Sequence, residues 1–146
     1  MATMYDIDFM EWLLSQAKLL RSHNSSDLDF DNIAEELEAM SRSQKRELHS
    51  RYTVLLMHLL KWQYQPDYRC NSWKSTIFQQ RRYISRLFKD MPSLKTEFNI
   101  SDWQVDAWND AVDGASAETT IFRENFPASC PWSVDQVLDD WYPDLV

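Results

Sequence analysis

The sequence is poor in glycine, because Gly114 is the only one among its 146 residues. At average usage of about 7% there would be roughly ten. Glycine supplies the positive φ angles of tight turns and lets a backbone approach a phosphate group closely. A single glycine therefore excludes a P-loop, a Rossmann fingerprint and other glycine-based nucleotide sites. It also argues against a fold with many hairpins, whose favoured turns need glycine or asparagine.

Cysteine and long apolar runs are also scarce. Cys70 and Cys130 have no CxxC partner, which excludes a disulfide scaffold and predicts reduced thiols. The acidic beginning of the sequence lacks the basic region of a signal peptide. The longest apolar run covers residues 54–57, far short of the roughly 20 residues that span a bilayer. We therefore expect a cytoplasmic protein without a membrane span.

Aromatic residues and charges are abundant. Seven Trp, six Tyr and seven Phe can build a sizeable core, and the length suits a single domain over 1–146. The net charge of −8 is unevenly distributed: residues 1–41 carry two basic and nine acidic residues, residues 42–95 twelve and three, and residues 96–146 one and eleven. This segregation indicates either a charged partner or acidic ends that fold over a basic middle.

Apolar residues recur at helical spacing, and no segment alternates as a strand does. The sequence predicts an all-α fold, a compact single-domain bundle of five to seven helices. Pro92 is expected to stop one helix and begin a short turn, and residues 41–43 are a possible bend. The predicted helices start near Asp6 or Asp8, run from about Asp29 to Gln65 and from Ser72 to Asp90, and begin again at the capping boxes Ser101–Gln104 and Ser133–Gln136, the last continuing through Trp141.

The apolar stripes predict the side chains that face the core, and Gln80 should find a partner if it is buried. The predicted stripes are Phe9, Leu13, Ala17 and Leu20; Ile33, Leu37 and Met40; Leu48, Tyr52, Leu55, Leu59 and Trp62; Trp73, Ile77, Gln80, Ile84, Leu87 and Met91; and Val105, Trp108, Val112, Ala115, Thr119 and Phe122.

Several short motifs run through nearly the whole chain. They are residues 5–9 with Trp12, 33–38, Arg51, 58–62, 65–66, 72–73, 76–77, 80–81, 92–94, 117–119, 126–127 and 130–131. Together they resemble those of a bacterial family known as domain-of-unknown-function family 29. The resemblance implies an all-helical fold and brings no established activity. Ser41 and Thr120 stand where the family tends to carry glycine. Either positive φ is not essential there or these turns are built differently.

A cluster of polar and aromatic motif residues is the first candidate site. A buried arginine must be paired, so the cluster is interpreted either as a structural network or as a binding site. A sharper alternative takes Arg51 and His58, two turns apart on one helix, as the signature of a metal-independent HEPN-type ribonuclease. His58 would be the general base and Arg51 would steady the phosphate. The cluster comprises Arg51, His58, Trp62, Arg69, Trp73, Gln80, Arg81 and Glu118.

Two charged helix faces are the second candidate. Arg82, Arg86 and Lys89 form a basic face, and Asp102, Asp106, Asp110 and Asp113 form an acidic stripe whose repulsion a basic neighbour would offset. The basic face is the candidate neighbour. The basic region 42–95 interleaves aromatics with cations, so nucleic acid is a possible ligand.

No HExxH motif or similar metal-ligand spacing is present, and we expect neither a metal nor a cofactor. The sequence therefore predicts a non-enzymatic interaction or regulatory module with a protein partner. RNA binding or ribonuclease activity is the alternative, and the oligomeric state stays open.

Overall fold

The fold is all-α, as predicted, in a computed structural model that describes residues 1–100 and 102–144. No strand occurs in these two ranges, and their seven α-helices agree with the predicted five to seven. Short 3-10 turns lie at Ser25–Asp27, Pro66–Tyr68 and Arg123–Asn125. The helices are α1 (Met4–Ile7), α2 (Phe9–Arg21), α3 (Phe30–Tyr64), α4 (Asn71–Asp90), α5 (Pro92–Ile100), α6 (Trp103–Thr119) and α7 (Val134–Leu138).

The chain divides into two compact units, Met1–Gln44 and Lys45–Val146, with the boundary inside α3. We call them the N-terminal unit and the C-terminal unit. A single domain over 1–146 stays a prediction.

The N-terminal unit is held together by a polar network around Trp12. The Trp12 indole donates to Asp29 Oδ2 (3.1 Å), and the Asp29 backbone N–H donates to Gln16 Oε1 (2.9 Å). Asp29 also caps α3 by accepting from the Asn32 backbone N–H, and Asp8 caps α2. Both caps were among the predicted positions.

The apolar stripes predicted for the N-terminal unit are not its buried face. Only Trp12 and Gln16 are buried there. The predicted assignment is wrong because α2 turns its Trp12 face inward, toward Asp29, and leaves the stripe outside. The predicted core residues that are exposed instead are Phe9, Leu13, Ala17, Leu20, Leu37 and Met40.

The C-terminal unit holds the core, and here the stripes of the second half of α3 and of α4 are confirmed. Leu48, Tyr52, Leu55, Leu59 and Trp62 are all buried. They pack with Ile77 and Ile84 of α4, Leu94 and Phe98 of α5, Trp108, Val112 and Ala115 of α6, and Val137 of α7. On α6, the predicted stripe is wrong at its two ends, because Val105 and Phe122 are exposed.

Several helix boundaries differ from the predicted ones. Helix α4 begins one residue before Ser72, at Asn71, with Cys70 as its N-cap. Pro92 opens α5 rather than a short turn, which is consistent with proline at the first helical position, where no N–H is needed. Helix α3 continues without a break through residues 41–43. The Ser133–Gln136 box is confirmed, but α7 ends at Leu138 rather than Trp141. The Ser101–Gln104 box lies outside the described residues at Ser101.

The single glycine serves close packing. Gly114 lies within α6, and a Cβ there would be 2.7 Å from Met57 Sδ on α3. The turn after α6 uses Thr120 instead, which has a φ of 63° and a ψ of 8° in the left-handed region. Positive φ is therefore required at Thr120 even though the residue is not glycine. At Ser41 no turn exists, because α3 runs through it.

Candidate functional site

Three of the predicted cluster residues meet around Lys61, a residue that the sequence reasoning missed. The Lys61 side chain is buried, its Nζ lies 2.6 Å from Glu118 Oε2, and the same atom lies 4.9 Å from the centre of the Trp73 ring. A buried ammonium needs such a counter-charge. The sequence feature that could have identified Lys61 is its place in the motif 58–62, three residues after His58.

His58 lies beside this pair and is half-buried. Its Nδ1 is 2.9 Å from the Val54 carbonyl oxygen, so Nδ1 carries the proton and donates it. Burial lowers the pKa of His58, and the charge of Lys61 acts in the same direction. The imidazole is therefore neutral at neutral pH, with Nε2 as an acceptor.

A shallow groove of about 310 Å³ opens next to Lys61. The Lys61 ammonium and the Glu118 carboxylate in this groove already form an ion pair with each other. This arrangement supports a structural role for the Lys61–Glu118 pair. The groove is lined by Lys61, Gln65, Tyr68, Trp73, Glu118 and Thr119.

Arg69 and Trp62 form a separate group. Arg69 Nε donates to the Trp62 carbonyl oxygen (2.8 Å), and its guanidinium lies 4.7 Å from the centre of the Trp62 ring. That ring also contacts Tyr142, at 4.6 Å between ring centres, and Lys74 Nζ lies 5.8 Å from its centre. These contacts join the C-terminal end of α3 to the segment that contains Tyr142.

Arg81 and Gln80 lie in the middle of α4. Arg81 Nε donates to the Val137 carbonyl oxygen (2.9 Å) and Nη2 donates to that of Trp141. Arg81 therefore anchors the segment around α7. Gln80 Oε1 is buried with no hydrogen-bond partner in the described residues, so the partner expected for Gln80 is not found at that atom.

Arg51 is engaged at a different place from His58. Its guanidinium lies 4.0 Å from the centre of the Tyr83 ring on α4, and its Nη2 lies 3.6 Å from Glu47 Oε1. His58 donates to the Val54 carbonyl oxygen, and the charges of Lys61 and Glu118 act on its pKa. Arg51 and His58 thus share none of these partners.

The exposed face of α4 carries cations and aromatic rings together. We name it the basic–aromatic face and define it as Lys74, Phe78, Arg82, Tyr83, Arg86 and Lys89, all of which are exposed. Within residues 1–100 and 102–144, no carboxylate lies within ion-pair distance of Arg82, Arg86 or Lys89. A shallow groove of about 250 Å³ lies along it, lined by Gln79, Arg82, Tyr83 and Arg86.

The acidic stripe of α6 has other partners. Asp110 accepts from His49 Nε2 (2.8 Å), and Asp113 accepts from Arg123 Nη1. Among the described residues, the candidate neighbours on the basic face therefore do not pair with the acidic stripe, whose partners are His49 and Arg123. The basic face remains without an internal carboxylate partner in the part of the chain that the structure describes.

Metal and thiol chemistry find little support in the geometry. The described residues hold no group of three or more His, Cys, Asp or Glu side chains arranged to bind a metal ion. Cys70 is exposed, whereas Cys130 is half-buried and its Sγ lies 3.4 Å from the Trp132 carbonyl oxygen. Burial raises the pKa of the Cys130 thiol. Among these residues, none of the helices has the length and hydropathy to cross a membrane.

Comparison with known proteins places the chain in one family. No curated protein and no solved structure matches it. The sequence model described as "Domain of unknown function DUF29" matches residues 4–142. The chain therefore belongs to the DUF29 family, as the motifs indicated.

Proposed function

We propose that this protein is an interaction module that binds an acidic segment of a protein partner through the basic–aromatic face. The observation that carries the proposal is a set of cations on α4 that stand beside exposed rings and have no carboxylate at ion-pair distance among the described residues. Phe78 is 63% exposed and Tyr83 is 41% exposed. Arginine and tyrosine together are typical of the residues that contribute most at protein interfaces.

Tyr83 is held in place by cations on two helices. Arg51 of α3 lies 4.0 Å from its ring centre and Arg86 of α4 lies 5.8 Å from it. Cation–π contacts of this kind restrict the ring and keep the guanidinium groups close together. A face that is ordered before binding loses less entropy when a partner docks.

A binding role is favoured over catalysis. Ribonuclease chemistry needs Arg51 and His58 at one phosphate, whereas Arg51 is engaged by Tyr83 and the half-buried His58 donates to the Val54 carbonyl oxygen. The observations on α4 thus support binding.

The test is affinity purification from the native host with three tagged chains. They are the wild type, Arg82→Glu/Arg86→Glu, and a matched control, Arg46→Glu/Lys95→Glu, which makes the same charge change on exposed residues of α3 and α5. Each captured protein is then purified and its affinity measured at low and high salt. We expect a partner whose binding weakens with salt and falls at least tenfold, about 1.4 kcal/mol, only in the α4 variant.

Three results would overturn the proposal. They are equal capture by both variants, no captured protein at all, or captured material that a ribonuclease removes. The last result would assign the face to RNA instead.

A further inference from the structure

The N-terminal unit exposes most of its apolar side chains. Phe30, Leu37 and Met40 of α3 are 63%, 63% and 64% exposed. Helix α2 exposes a second stripe in the same unit, made of Met10, Leu13, Leu14 and Leu20. A unit of this size with only two buried side chains has almost no core of its own, and contiguous exposed apolar surface marks an interaction site.

The charge of this region selects the kind of partner. Residues 1–41 have a net charge of −7, and Asp31 and Glu38 are exposed beside the apolar stripe of α3. Neither forms an ion pair within residues 1–100 and 102–144. Two such acidic stripes facing each other would repel. The surface therefore fits a partner that offers cations and exposed rings together.

The chain itself contains a surface of that description. The basic–aromatic face of α4 offers Arg82, Arg86 and Lys89, which have no carboxylate at ion-pair distance within residues 1–100 and 102–144, together with exposed Phe78 and Tyr83. Each of the two surfaces is exposed in the single chain, and their charges are complementary. A second copy of the chain would offer the cations and the exposed rings together on one surface.

We propose that residues 1–41 of one copy, which we call the arm, dock on the basic–aromatic face of a second copy. This inference rests on the proposed function, because it uses the same face and names its partner. Reciprocal docking buries both surfaces of both copies and closes a two-fold dimer. The apolar stripes supply the affinity, and the charges set the pairing of arm with face rather than arm with arm.

The experiment measures the mass of the full chain by sedimentation at concentrations up to about 100 µM, at low and high salt. The variants are Arg82→Glu/Arg86→Glu on the face and Asp31→Lys/Glu38→Lys on the arm. The matched control is Asp67→Lys/Asp144→Lys, which makes the same charge change on exposed residues elsewhere. We expect the wild type and the control to dimerise and each of the other variants to dissociate at least tenfold more readily.

The decisive step is to mix the two variants. In a reciprocal dimer each reversed arm then meets a reversed face, and each native arm meets a native face, so dimers should return. Circular dichroism checks that every variant keeps its helix content.

Monomeric wild-type protein at every concentration would overturn the inference, and so would variants that still dimerise or a mixture that stays monomeric. A monomer that still captures another acidic protein through Arg82 and Arg86 would leave the proposed function intact. A monomer that captures nothing would remove both.

Discussion

At the scale of single residues, Thr120 has the most strained backbone in the turn after α6. A β-branched residue rarely adopts the left-handed region, and an L-residue there costs roughly 1–2 kcal/mol. Thr120 holds this conformation at the C-terminal end of α6, where its backbone N–H donates to the Ser116 carbonyl oxygen. The resemblance to the family implies a glycine at this position, and the conformation gives the physical reason.

Thr120→Gly should therefore raise the free energy of unfolding by about 0.5–1 kcal/mol, after the greater entropy of unfolded glycine is subtracted. Ser41→Gly is the matched comparison, since Ser41 lies inside α3, where glycine is unfavourable by about 0.5 kcal/mol relative to serine. Urea unfolding of the two variants should give shifts of opposite sign. Shifts of the same sign would contradict the assignment of a turn to one position and a helix to the other.

His58 makes stability depend on pH. Burial lowers its pKa, and Lys61 acts in the same direction, while the hydrogen bond to Val54 and the charge of Glu118 oppose the shift. The unfolded chain takes up a proton near pH 6.5, whereas the folded chain resists it. The contribution of neutral His58 is therefore fully present above about pH 6.5 and is lost as the pH falls through the folded pKa.

His58→Asn keeps a donor for the Val54 carbonyl oxygen and removes the titration. Between about pH 8 and pH 5, the wild type should lose more of its free energy of unfolding than His58→Asn does. His23→Asn, at an exposed histidine, serves as the control and should follow the wild type. Parallel pH curves for the wild type and His58→Asn would contradict a neutral, half-buried imidazole.

At the scale of elements, α3 is one helix in two environments. All eight of its buried residues lie between Leu48 and Trp62, and none lies between Phe30 and Gln44. Backbone hydrogen bonds open more readily where few apolar contacts hold a helix in place. The two halves should therefore differ in stability although no residue interrupts the helix.

Hydrogen exchange of the monomeric chain should show this difference directly. Amides of residues 48–62 should be strongly protected, whereas those of residues 30–44 should exchange much faster, because only the former are held by the core. Helix α4, with Ile77 and Ile84 in the same core, is the internal reference for strong protection. Uniform protection along α3 would contradict the contrast in packing.

The sequence predicted the positions of the helices better than it predicted which of their apolar faces are buried. Periodicity identified the stripe Leu48–Trp62 as core and the stripe Phe9–Leu20 as core with equal force, yet only the first is buried. Amphipathic spacing shows that a helix has an apolar face, but not that a partner lies in the same chain. Caps such as Asp8 and Ser133 were readable because their chemistry is local. The role of Lys61 could not be predicted from the sequence, because its counter-charge Glu118 lies far away in the sequence.

At the scale of the whole molecule, the segregated charges have two interpretations, internal pairing and a charged partner, and each applies to different residues. The basic middle does form ion pairs with the acidic C-terminal segment at Lys45–Glu97 and Lys61–Glu118, and His49 donates a hydrogen bond to Asp110. The exposed face of α4 takes no part in these ion pairs. Composition alone could not separate the two groups, because pairing depends on which side of a helix each cation occupies.

The two cysteines allow the proposed association of two copies to be studied by labelling without mutation. Thiol-reactive dyes attack the thiolate, and the raised pKa of half-buried Cys130 makes exposed Cys70 the faster target. Residues 1–44 contain no cysteine, so a dye at Cys70 marks the beginning of α4, close to the basic–aromatic face, and leaves the N-terminal unit unmodified. Native chains labelled separately with donor and acceptor dyes can then be mixed, and energy transfer between them would report association of two copies in real time.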